Sequence, residues 1–240
     1  MAVKKEENVL SEQQIYDYID CPVKYAILHQ DSIPVPEQVS MNILLQRVAN
    51  AFCLSLLNGI VQDQAWLKKK WDMYARKYKH YLNDKRVLMG IRELSAFWKY
   101  CQRTELQIVD VQSQFTIGFP SAKVRGVLGA VALRNNKLEL FIPDFSPKSP
   151  DQSILDLRLQ YTMHCYAFRT LYQRELSGIH IAHIHTGKEY YTYRKRDDYL
   201  RLETTIESVA RAIRQRIYYP RENVLCPLCK IKDLCRSWVT

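Results

Sequence analysis

Apolar residues in the first hundred positions recur every three or four residues, which is the period of an amphipathic helix. This pattern predicts three helices, over residues 38–58, 62–79 and 84–103. Two shorter helices are predicted before them, with Ser11 as the cap of the first and Pro22 in the first turn of the second, where proline is tolerated. Residues 9–104 are therefore expected to form a helical N-terminal part.

From about residue 105 the apolar residues alternate with polar ones or form short β-branched runs, and both patterns predict strands. The predicted strands are 106–117, 123–133, 137–145, 178–185 and 189–193. The pair Asn135-Asn136 favours a hairpin turn between the second and third of these strands. Two helices accompany them, one from residue 149 or 151 to about 174 and one from 197 or 198 to 218.

This order of helices, strands, a crossover helix, further strands and a last helix is typical of an α/β domain. We therefore expect a central mixed β-sheet flanked by helices. A single domain over residues 1–240 is predicted. Its consecutive parts are a helical part over 9–104, an α/β core over 105–218 and a cysteine-containing segment over 219–240.

Three cysteines near the end of the chain, Cys226, Cys229 and Cys235, have the spacing C-x2-C-x5-C in a turn-prone segment. Two residues between ligands allow both sulfurs to face one centre, and Cys21, just before Pro22, is the best placed fourth ligand. Four thiolates suit either tetrahedral zinc or an iron–sulfur cluster. The alternative is that these cysteines are reduced, buried and unligated.

The chain of 240 residues carries a formal charge of +10, which favours a polyanionic partner, and a phosphate backbone is the commonest one. Its seven cysteines are odd in number, and the chain shows no secretory hallmark, so a cytoplasmic location is expected. No apolar run reaches the roughly 18 residues that a membrane-spanning helix needs, so no membrane partner is expected. The sequence contains no G-x-x-x-x-G-K-[ST] motif, the glycine-rich loop with which motor proteins bind the phosphates of ATP.

Two stretches mix aromatic and basic residues. The helix predicted over 62–79 contains Lys68, Lys69 and Lys70 among tryptophans and tyrosines, and the stretch 190–196 ends in Arg194, Lys195 and Arg196. Such stretches can stack bases and hold phosphates. The alternative for the helix, which we favour, is that its rings face the core while its lysines are solvated. For 190–196 the alternative is an edge strand with a solvated basic end.

The sequence Tyr-Ile-Asp-Cys-Pro-Val-Lys-Tyr at residues 18–25 resembles the opening of the RecB-like branch of the PD-(D/E)XK nucleases. The final cysteine segment resembles the end of the iron–sulfur members of that branch, such as the AddB nuclease domain and the exonucleases of CRISPR adaptation. The resemblance implies a restriction-endonuclease-like core. It also implies that Cys21, Cys226, Cys229 and Cys235 bind a four-iron four-sulfur cluster, with zinc as the alternative.

The same resemblance implies which positions should carry the catalytic groups. In the family, two acidic residues on consecutive strands hold the metal ions, and a lysine orients the water. Here Gly129 stands where the first acid is expected and Asp144 where the second is expected. Ser146 stands in place of the lysine. The predicted metal site is therefore vestigial.

Other family positions are partly kept. Gln160 matches the glutamine of the helix that follows, whereas His164 stands where a tyrosine is usual and Ala49 where a histidine is usual. Lys148 could swing back toward the remaining acid. Glu139 is expected on the opposite face of the strand, because residues an odd number apart alternate in direction.

These observations lead to an expected function. We expect a catalytically inactive, nuclease-like iron–sulfur protein that binds nucleic acid, DNA rather than RNA, and/or protein partners as a subunit of a DNA-processing or defence complex. The first alternative is an active magnesium- or manganese-dependent DNA exonuclease with rearranged catalytic residues. The second alternative is a zinc-stapled interaction module.

Overall fold

The computed structural model describes residues 9–31, 33, 39–224 and 226–235. In chain order its strands and longer helices are β1 (Val9–Ser11), α1 (Glu12–Asp20), α2 (Pro22–Tyr25), α3 (Met41–Leu57), α4 (Gln64–Lys77), α5 (Asp84–Thr104), β2 (Gln107–Asp110), β3 (Gln114–Phe119), β4 (Ala122–Val127), β5 (Ala130–Arg134), β6 (Lys137–Asp144), α6 (Gln152–Leu157), α7 (Leu159–Tyr172), β7 (Gly178–His183), β8 (Lys188–Thr192) and α8 (Arg196–Arg214). Short turns of π- and 3-10 helix are Ala26–Gln30, Cys226–Leu228 and Lys232–Leu234.

Contacts group the described residues into two compact units. The first unit is drawn from Met1–Gln38, Gln114–Gly126 and Asp197–Thr240, and the second from Val39–Ser113 and Val127–Arg196. Each unit therefore combines distant parts of the sequence, unlike the three consecutive parts that were expected. That the whole chain acts as one domain stays a prediction.

The first unit contains a three-stranded sheet in the order β1-β4-β3, in which β1 and β4 are parallel. Helix α1 begins with the predicted capping arrangement. The Gln14 amide donates to Ser11 Oγ at 3.2 Å, and the Ser11 amide donates to Gln14 Oε1 at 2.7 Å. Pro22 opens α2, as predicted, so the chain turns sharply at Cys21 between the two helices.

The second unit contains a five-stranded sheet in the order β2-β5-β6-β7-β8. Strands β6 and β7 are parallel and are connected through α6 and α7, whereas the other pairs are antiparallel. The predicted mixed sheet with a crossover helix is therefore confirmed. Asn135 and Asn136 form the predicted hairpin turn, and both have positive φ angles, of 48° and 60°.

Two predicted strands are wrong, because each is divided between the two sheets. The stretch 106–117 breaks at Gln112, which has φ 59°, and its halves become β2 and β3. The stretch 123–133 breaks at residues 128–129 and becomes β4 and β5. The Gln112 amide donates to the Leu128 carbonyl at 3.1 Å, and the Leu128 amide donates to Ser113 at 2.8 Å. These two bonds tie both breaks together, and neither is visible in the local pattern.

The long helix predicted after the hairpin is also divided. Asp151 caps α6 through the Ser153 amide, but Arg158 has an extended backbone with ψ 110°, and α7 starts at the next residue. The last helix, α8, ends at Arg214, four residues before the predicted end. The extended residue allows the crossover to change direction between α6 and α7.

The core of the second unit is built by α3, α4 and α5 against one face of the five-stranded sheet. Phe52, Phe97 and Phe141 are buried there together with Trp71. Gly90 of α5 makes room for this tryptophan, because an added Cβ would lie only 2.1 Å from its ring. The aromatic residues of α4 therefore serve the core, which confirms the favoured reading of that helix. Among the described residues, no helix combines the length and apolarity that crossing a membrane requires.

Candidate functional site

Asp144 is the last residue of β6 and lies beside His183 of β7. Its two carboxylate oxygens accept hydrogen bonds from the amide and from Oγ of Ser146, both at 2.9 Å. His183 Nε2 donates to the Ser146 carbonyl at 2.8 Å, which holds the turn in place. Asp144, expected at the position of the second acid, is thus bonded to Ser146, expected at the position of the lysine.

Among the described residues, the side chain of Lys148 makes no contact with Asp144 that could take over the role of the family's lysine. Its side chain is exposed, and its backbone carbonyl lies 2.9 Å from Ser146 Oγ. The contact that links Lys148 to the Asp144 turn is therefore made by its main chain. Pro147 lies between Ser146 and Lys148 and keeps the chain from continuing as a strand.

Gly129, expected at the position of the first acid, lies between β4 and β5. Its amide donates to His164 Nδ1 of α7 at 3.3 Å. A Cβ atom added at Gly129 would lie 3.2 Å from that nitrogen and 3.3 Å from Leu140 Cδ1. The imidazole of His164 thus fills the space into which an acidic side chain at residue 129 would project.

The other residues considered in the sequence analysis lie on α7, α3 and β6. Gln160 lies one helical turn before His164 on α7 and is half-buried. Ala49 is fully buried in α3 within the core of the second unit. Glu139 is buried on β6, but the uninterrupted pairing of β6 with β7 places it on the opposite face from Asp144, as predicted.

Glu139 lies on the face that carries a polar cluster that the sequence did not reveal. The cluster contains Tyr100 of α5, Arg134 of β5, His180 of β7 and Glu189 of β8. Arg134 Nη1 lies 2.9 Å from His180 Nε2, and Arg134 Nη2 donates to Glu189 Oε2 at 3.2 Å. The Tyr100 hydroxyl donates to Glu189 Oε1 at 3.2 Å.

The electrostatics of this cluster favour a neutral histidine. Burial lowers the pKa of His180, and the positive charge of Arg134 lowers it further. The Glu189 carboxylate, 3.4 Å from Nε2, opposes the change in pKa without reversing it. The cavity beside His180 measures about 10 Å³, which leaves no space for a ligand. We therefore interpret the cluster as a structural one. The alternation of residues along one strand does not show which strands lie side by side, so the sequence could not reveal it.

The four cysteines singled out in the sequence line one cavity of the first unit, which has a volume of about 670 Å³. Cys21 stands at the joint between α1 and α2, and Cys226, Cys229 and Cys235 belong to the short C-terminal turns. The Asn223 amide donates to Cys226 Sγ at 3.3 Å. The structure therefore brings the N-terminal cysteine and the C-terminal trio to the same place.

Contacts around the cavity hold its two chain segments together. The Tyr18 hydroxyl donates to the Ile217 carbonyl at 2.6 Å, and Arg221 Nη1 donates to the Ile19 carbonyl at 2.7 Å. Buried Ile27 and Ile231 pack together beside Cys235. Each contact joins residues about two hundred positions apart in the sequence.

An ion pair steadies the joint that carries Cys21. Asp17 is buried and lies 2.8 Å from Lys24 Nζ and 2.9 Å from His29 Nε2. Burial raises the pKa of Asp17, but hydrogen bonds from Lys24 and His29 outweigh it and hold the pKa below its ordinary value. The carboxylate is therefore charged at neutral pH and fixes the start of α2.

The donor set fits a metal or cluster bound by thiolates. The other three cysteines, Cys53, Cys101 and Cys165, are buried elsewhere, in the second unit. Burial raises the pKa of the Cys53 thiol to about 12, which makes it a poor ligand. Within the described ranges, no three His, Cys, Asp or Glu side chains already stand in a metal-binding arrangement. The cavity thus gathers the four thiols in one place.

The basic residues singled out in the sequence differ in exposure. Lys68 and Lys69 are exposed on α4, whereas Lys70 Nζ lies over the Trp66 ring, 5.3 Å from its centroid. After β8, Lys195 and Arg196 are exposed.

Arg194 is a correction to the predicted phosphate-binding run. Its guanidinium donates to Thr162 Oγ1 at 2.8 Å and to the Leu155 carbonyl at 2.9 Å. It also reaches the Arg158 carbonyl at 3.3 Å. Arg194 therefore closes the end of α6 and joins it to α7, because unpaired carbonyls at a helix end need donors. Its donors are committed to the fold.

The fold and the catalytic positions define a nuclease-like α/β protein, and the comparisons with known proteins give its family. The sequence pattern of the PD-(D/E)XK nuclease superfamily matches residues 9–236. The chain belongs to this superfamily. A comparison with curated proteins gives no significant match.

Solved structures agree with this fold. A crystal structure of a candidate exonuclease from Eubacterium rectale has a TM-score of 0.60 and 11% sequence identity, and the match covers 99% of this chain and 94% of that one. Identity at this level shows a shared fold. The crystal structure of SSO0001 is 16% identical with a TM-score of 0.43, over 85% of this chain and 100% of that one. That second likeness is too weak to add to the argument.

Proposed function

We propose that this chain is a non-cleaving member of the PD-(D/E)XK nuclease superfamily that binds nucleic acid and carries a four-iron four-sulfur cluster. The observation that carries the first part is the contact between Gly129 and His164 at the position of the first acid. A backbone amide and an imidazole occupy the place where a second carboxylate would be needed.

The chemistry of phosphodiester hydrolysis explains why this matters. Magnesium demands near-octahedral oxygen coordination and sheds water reluctantly, so the family uses two carboxylates to hold it. Here Asp144 supplies one carboxylate, and both of its oxygens already accept bonds from Ser146. A serine hydroxyl cannot supply the positive charge that the family's lysine places next to the attacking water.

The second part of the proposal concerns the cysteine cavity. Cys21, Cys226, Cys229 and Cys235 would hold the cluster, and their gathering in one cavity supports this ligand set. When bound, such a cluster supplies a covalent link between segments that are far apart in the sequence. The chain's own residues prepare the site, because the Asp17–Lys24 ion pair and the Arg221 bond fix both sides of the cavity. Zinc bound by the same thiolates is the alternative.

The partner side of the proposal follows from the family and the charge. A nuclease-like fold binds nucleic acid, and the formal charge of +10 favours a phosphate backbone. We propose DNA rather than RNA as the nucleic acid, and a cytoplasmic place for the chain as a subunit of a DNA-processing or defence complex. Another subunit of that complex would then perform the chemistry.

An incubation with labelled DNA tests the non-cleaving part. Single- and double-stranded DNA are each incubated with cluster-loaded protein in magnesium and in manganese, and the products are separated by length. We expect no cleavage above that of an Asp144→Ala preparation made in parallel. Cleavage by the wild-type protein that disappears in Asp144→Ala would overturn the proposal and favour the alternative of an active exonuclease.

Anaerobic purification tests the cluster. We expect stoichiometric iron and acid-labile sulfide with a brown colour, and we expect the loss of all three in Cys229→Ser. Cys53→Ser is the matched control, because this cysteine lies outside the cavity. A colourless protein that contains zinc would favour the zinc alternative, and a protein without either metal would leave the thiols as structural groups.

A further inference from the structure

The positive charge of the chain is concentrated in one helical hairpin. Residues Gln64–Thr104, which we call the α4–α5 hairpin, contain eleven Lys and Arg against three Asp and Glu, a net charge of +8. The whole chain carries +10, so the remaining residues are close to neutral. One of the three acids, Glu93, is buried, and its Oε1 lies 2.8 Å from His185 Nδ1. Its charge is therefore directed away from the hairpin surface.

Four of these cations form a row along α5, which we call the α5 stripe. Its members are Lys85, Arg92, Lys99 and Arg103. They are separated by seven, seven and four residues, and such spacings return to the same side of a helix. All four are exposed, and the opposite side of α5 carries the buried Leu94, Phe97 and Cys101. At 1.5 Å per residue the row extends over about 27 Å.

The cations of the α5 stripe have no anionic partners among the residues that the structure describes. None of the four makes an ion pair with any residue within the described ranges, and the described contact of Arg103 is with the Tyr100 ring, 5.6 Å away. Asp84, the first residue of α5, is the exposed acid of this helix, and it lies outside the row. Surface charges are ordinarily interspersed with charges of opposite sign, because a row of like charges repels itself. Such a row is typical of a surface that meets an anionic partner.

The geometry of the hairpin favours a double strand over a single strand. Binding of single strands relies on exposed aromatic rings that stack on bases. In this hairpin the Trp71 ring is buried and donates to the Val87 carbonyl at 3.0 Å, and Trp98 donates to the Gln62 carbonyl at 3.2 Å. Within α5, all of which the structure describes, no exposed aromatic ring accompanies the stripe. The exposed tyrosine ring of the hairpin is that of Tyr81, in the loop before α5. A straight row of about 27 Å matches a duplex, which is also straight over this length.

We propose that the α5 stripe binds the phosphate backbone of double-stranded DNA without reading its sequence. The proposal rests on the nucleic-acid binding proposed above and assigns that binding to a defined surface. About eight base pairs lie along 27 Å of duplex, at 3.4 Å per base pair. Because each backbone winds around the axis, a straight row of this length crosses the backbones of both strands. Its cations can therefore contact phosphates of both strands, and no base edge is needed.

The test replaces the stripe and measures binding to DNA as a function of salt. The stripe variant carries Lys85→Gln, Arg92→Gln, Lys99→Gln and Arg103→Gln. The matched control removes the same amount of charge from exposed cations elsewhere, with Lys137→Gln, Arg174→Gln, Lys188→Gln and Arg211→Gln. The probes are a short labelled DNA duplex of mixed sequence, its separated single strands and the corresponding RNA duplex.

The stripe variant should bind the DNA duplex at least about tenfold more weakly than the wild-type protein at a fixed low salt concentration. The slope of the logarithm of affinity against the logarithm of salt concentration should become shallower by about three to four. The control should stay within about threefold of the wild-type protein. Glutamine forms helices about as well as lysine and arginine, so the helix content and melting temperature of the stripe variant should match the wild type.

A further variant covers the case in which four substitutions disturb the helix. Lys85→Arg, Arg92→Lys, Lys99→Arg and Arg103→Lys together keep every charge and should keep duplex binding. If the stripe variant binds like the wild-type protein, or if the control loses as much as the stripe variant, the assignment to this surface is wrong and the proposed function stands. Tighter binding to single strands or to duplex RNA would overturn the choice of DNA duplex. If the wild-type protein binds none of the probes at low salt, nucleic-acid binding itself fails.

Discussion

The amide of Gly129 donates a hydrogen bond to Nδ1 of His164, which belongs to a helix thirty-five residues further along the chain. The contact pairs two positions at which the sequence analysis expects the chain to depart from its family's pattern. A residue without a side chain and a histidine fill the same space together, so the departures are structurally coupled.

The first prediction concerns this coupling. Gly129→Ala should lower the free energy of unfolding by about 1–3 kcal/mol, because the new methyl group would lie 3.2 Å from His164 Nδ1 and 3.3 Å from Leu140 Cδ1. The penalty should become smaller in a His164→Ala background, where the ring is gone. Denaturant titration of the single and double variants measures it. Gly118→Ala is the matched control, because an added Cβ there meets nothing within 4 Å; an equal loss at both glycines would show that the close contact is not the cause.

The second prediction concerns the turn after β6. Asp144→Ala and Ser146→Ala should each destabilise the protein by about 0.5–1.5 kcal/mol, since each removes hydrogen bonds between these two residues. Because the bonds are shared, the double variant should lose less than the sum of the single losses. Urea unfolding of the three variants gives the coupling energy. Additive losses would mean that the carboxylate and the serine do not support each other.

The third prediction separates Arg194 from its basic neighbour. Arg194→Lys should cost about 2 kcal/mol of stability, because a lysine cannot make the forked bonds to Thr162 and Leu155. Lys195→Gln should cost no more than about 1 kcal/mol, since its ammonium lies over the exposed Tyr193 ring at 5.5 Å. Thermal unfolding compares the two. Similar melting temperatures would contradict the helix-end role of Arg194.

The fourth prediction concerns pH. The pKa of His180 in the folded protein lies below its ordinary value of 6.5, because burial and the charge of Arg134 disfavour the protonated ring. As the pH falls below about 6.5 the unfolded chain takes up a proton that the folded protein does not, so the free energy of unfolding decreases. Because one proton is involved, the contribution of His180 to the slope has an upper limit of about 1.4 kcal/mol per pH unit.

Denaturant titrations between about pH 5.5 and 8 measure this slope in the wild-type protein and in His180→Gln. The variant should show a flatter dependence. The exposed His80→Gln is the control and should keep the wild-type slope. The pKa of Glu189 is also lowered, by His180 and Arg134 acting against burial, but its contribution to the loss of stability begins only below its ordinary value of 4.5. If His180→Gln kept the full slope, another group would be responsible.

The fifth prediction concerns the thiols. In reduced, metal-free protein, an alkylating reagent should modify the half-buried Cys21, Cys226 and Cys229 well before Cys53. The reason is that Cys53 is buried and that burial raises the pKa of its thiol to about 12, so it forms little thiolate. Loading with iron and sulfide, or with zinc, should protect the first three and leave Cys53 unchanged. Mass spectrometry of the digested protein reads out each site; modification that metal does not alter would exclude these cysteines as ligands.

Features that depend on neighbouring residues could be predicted from the sequence. The capping arrangement of Ser11 and Gln14, the turn at Asn135-Asn136 and the helical period of α3, α4 and α5 follow from spacings of a few residues. Local hydrogen bonds and side-chain directions are enough to fix such features. The spacing of the C-terminal cysteines, which share one cavity with Cys21, belongs to the same class.

Tertiary structure alone decided the features that join distant segments. The strand breaks at Gln112 and Leu128 depend on hydrogen bonds between residues far apart in sequence. The inward orientation of the Arg194 guanidinium depends on unpaired carbonyls at the end of α6. A sequence pattern reports which residues are apolar and which can bond, but it does not report which partner each one meets. The sequence by itself therefore determined the elements and the cysteine spacing of this protein. The packing of α7 against the sheet decided that the His164 ring lies beside Gly129, because only folding brings these two residues together.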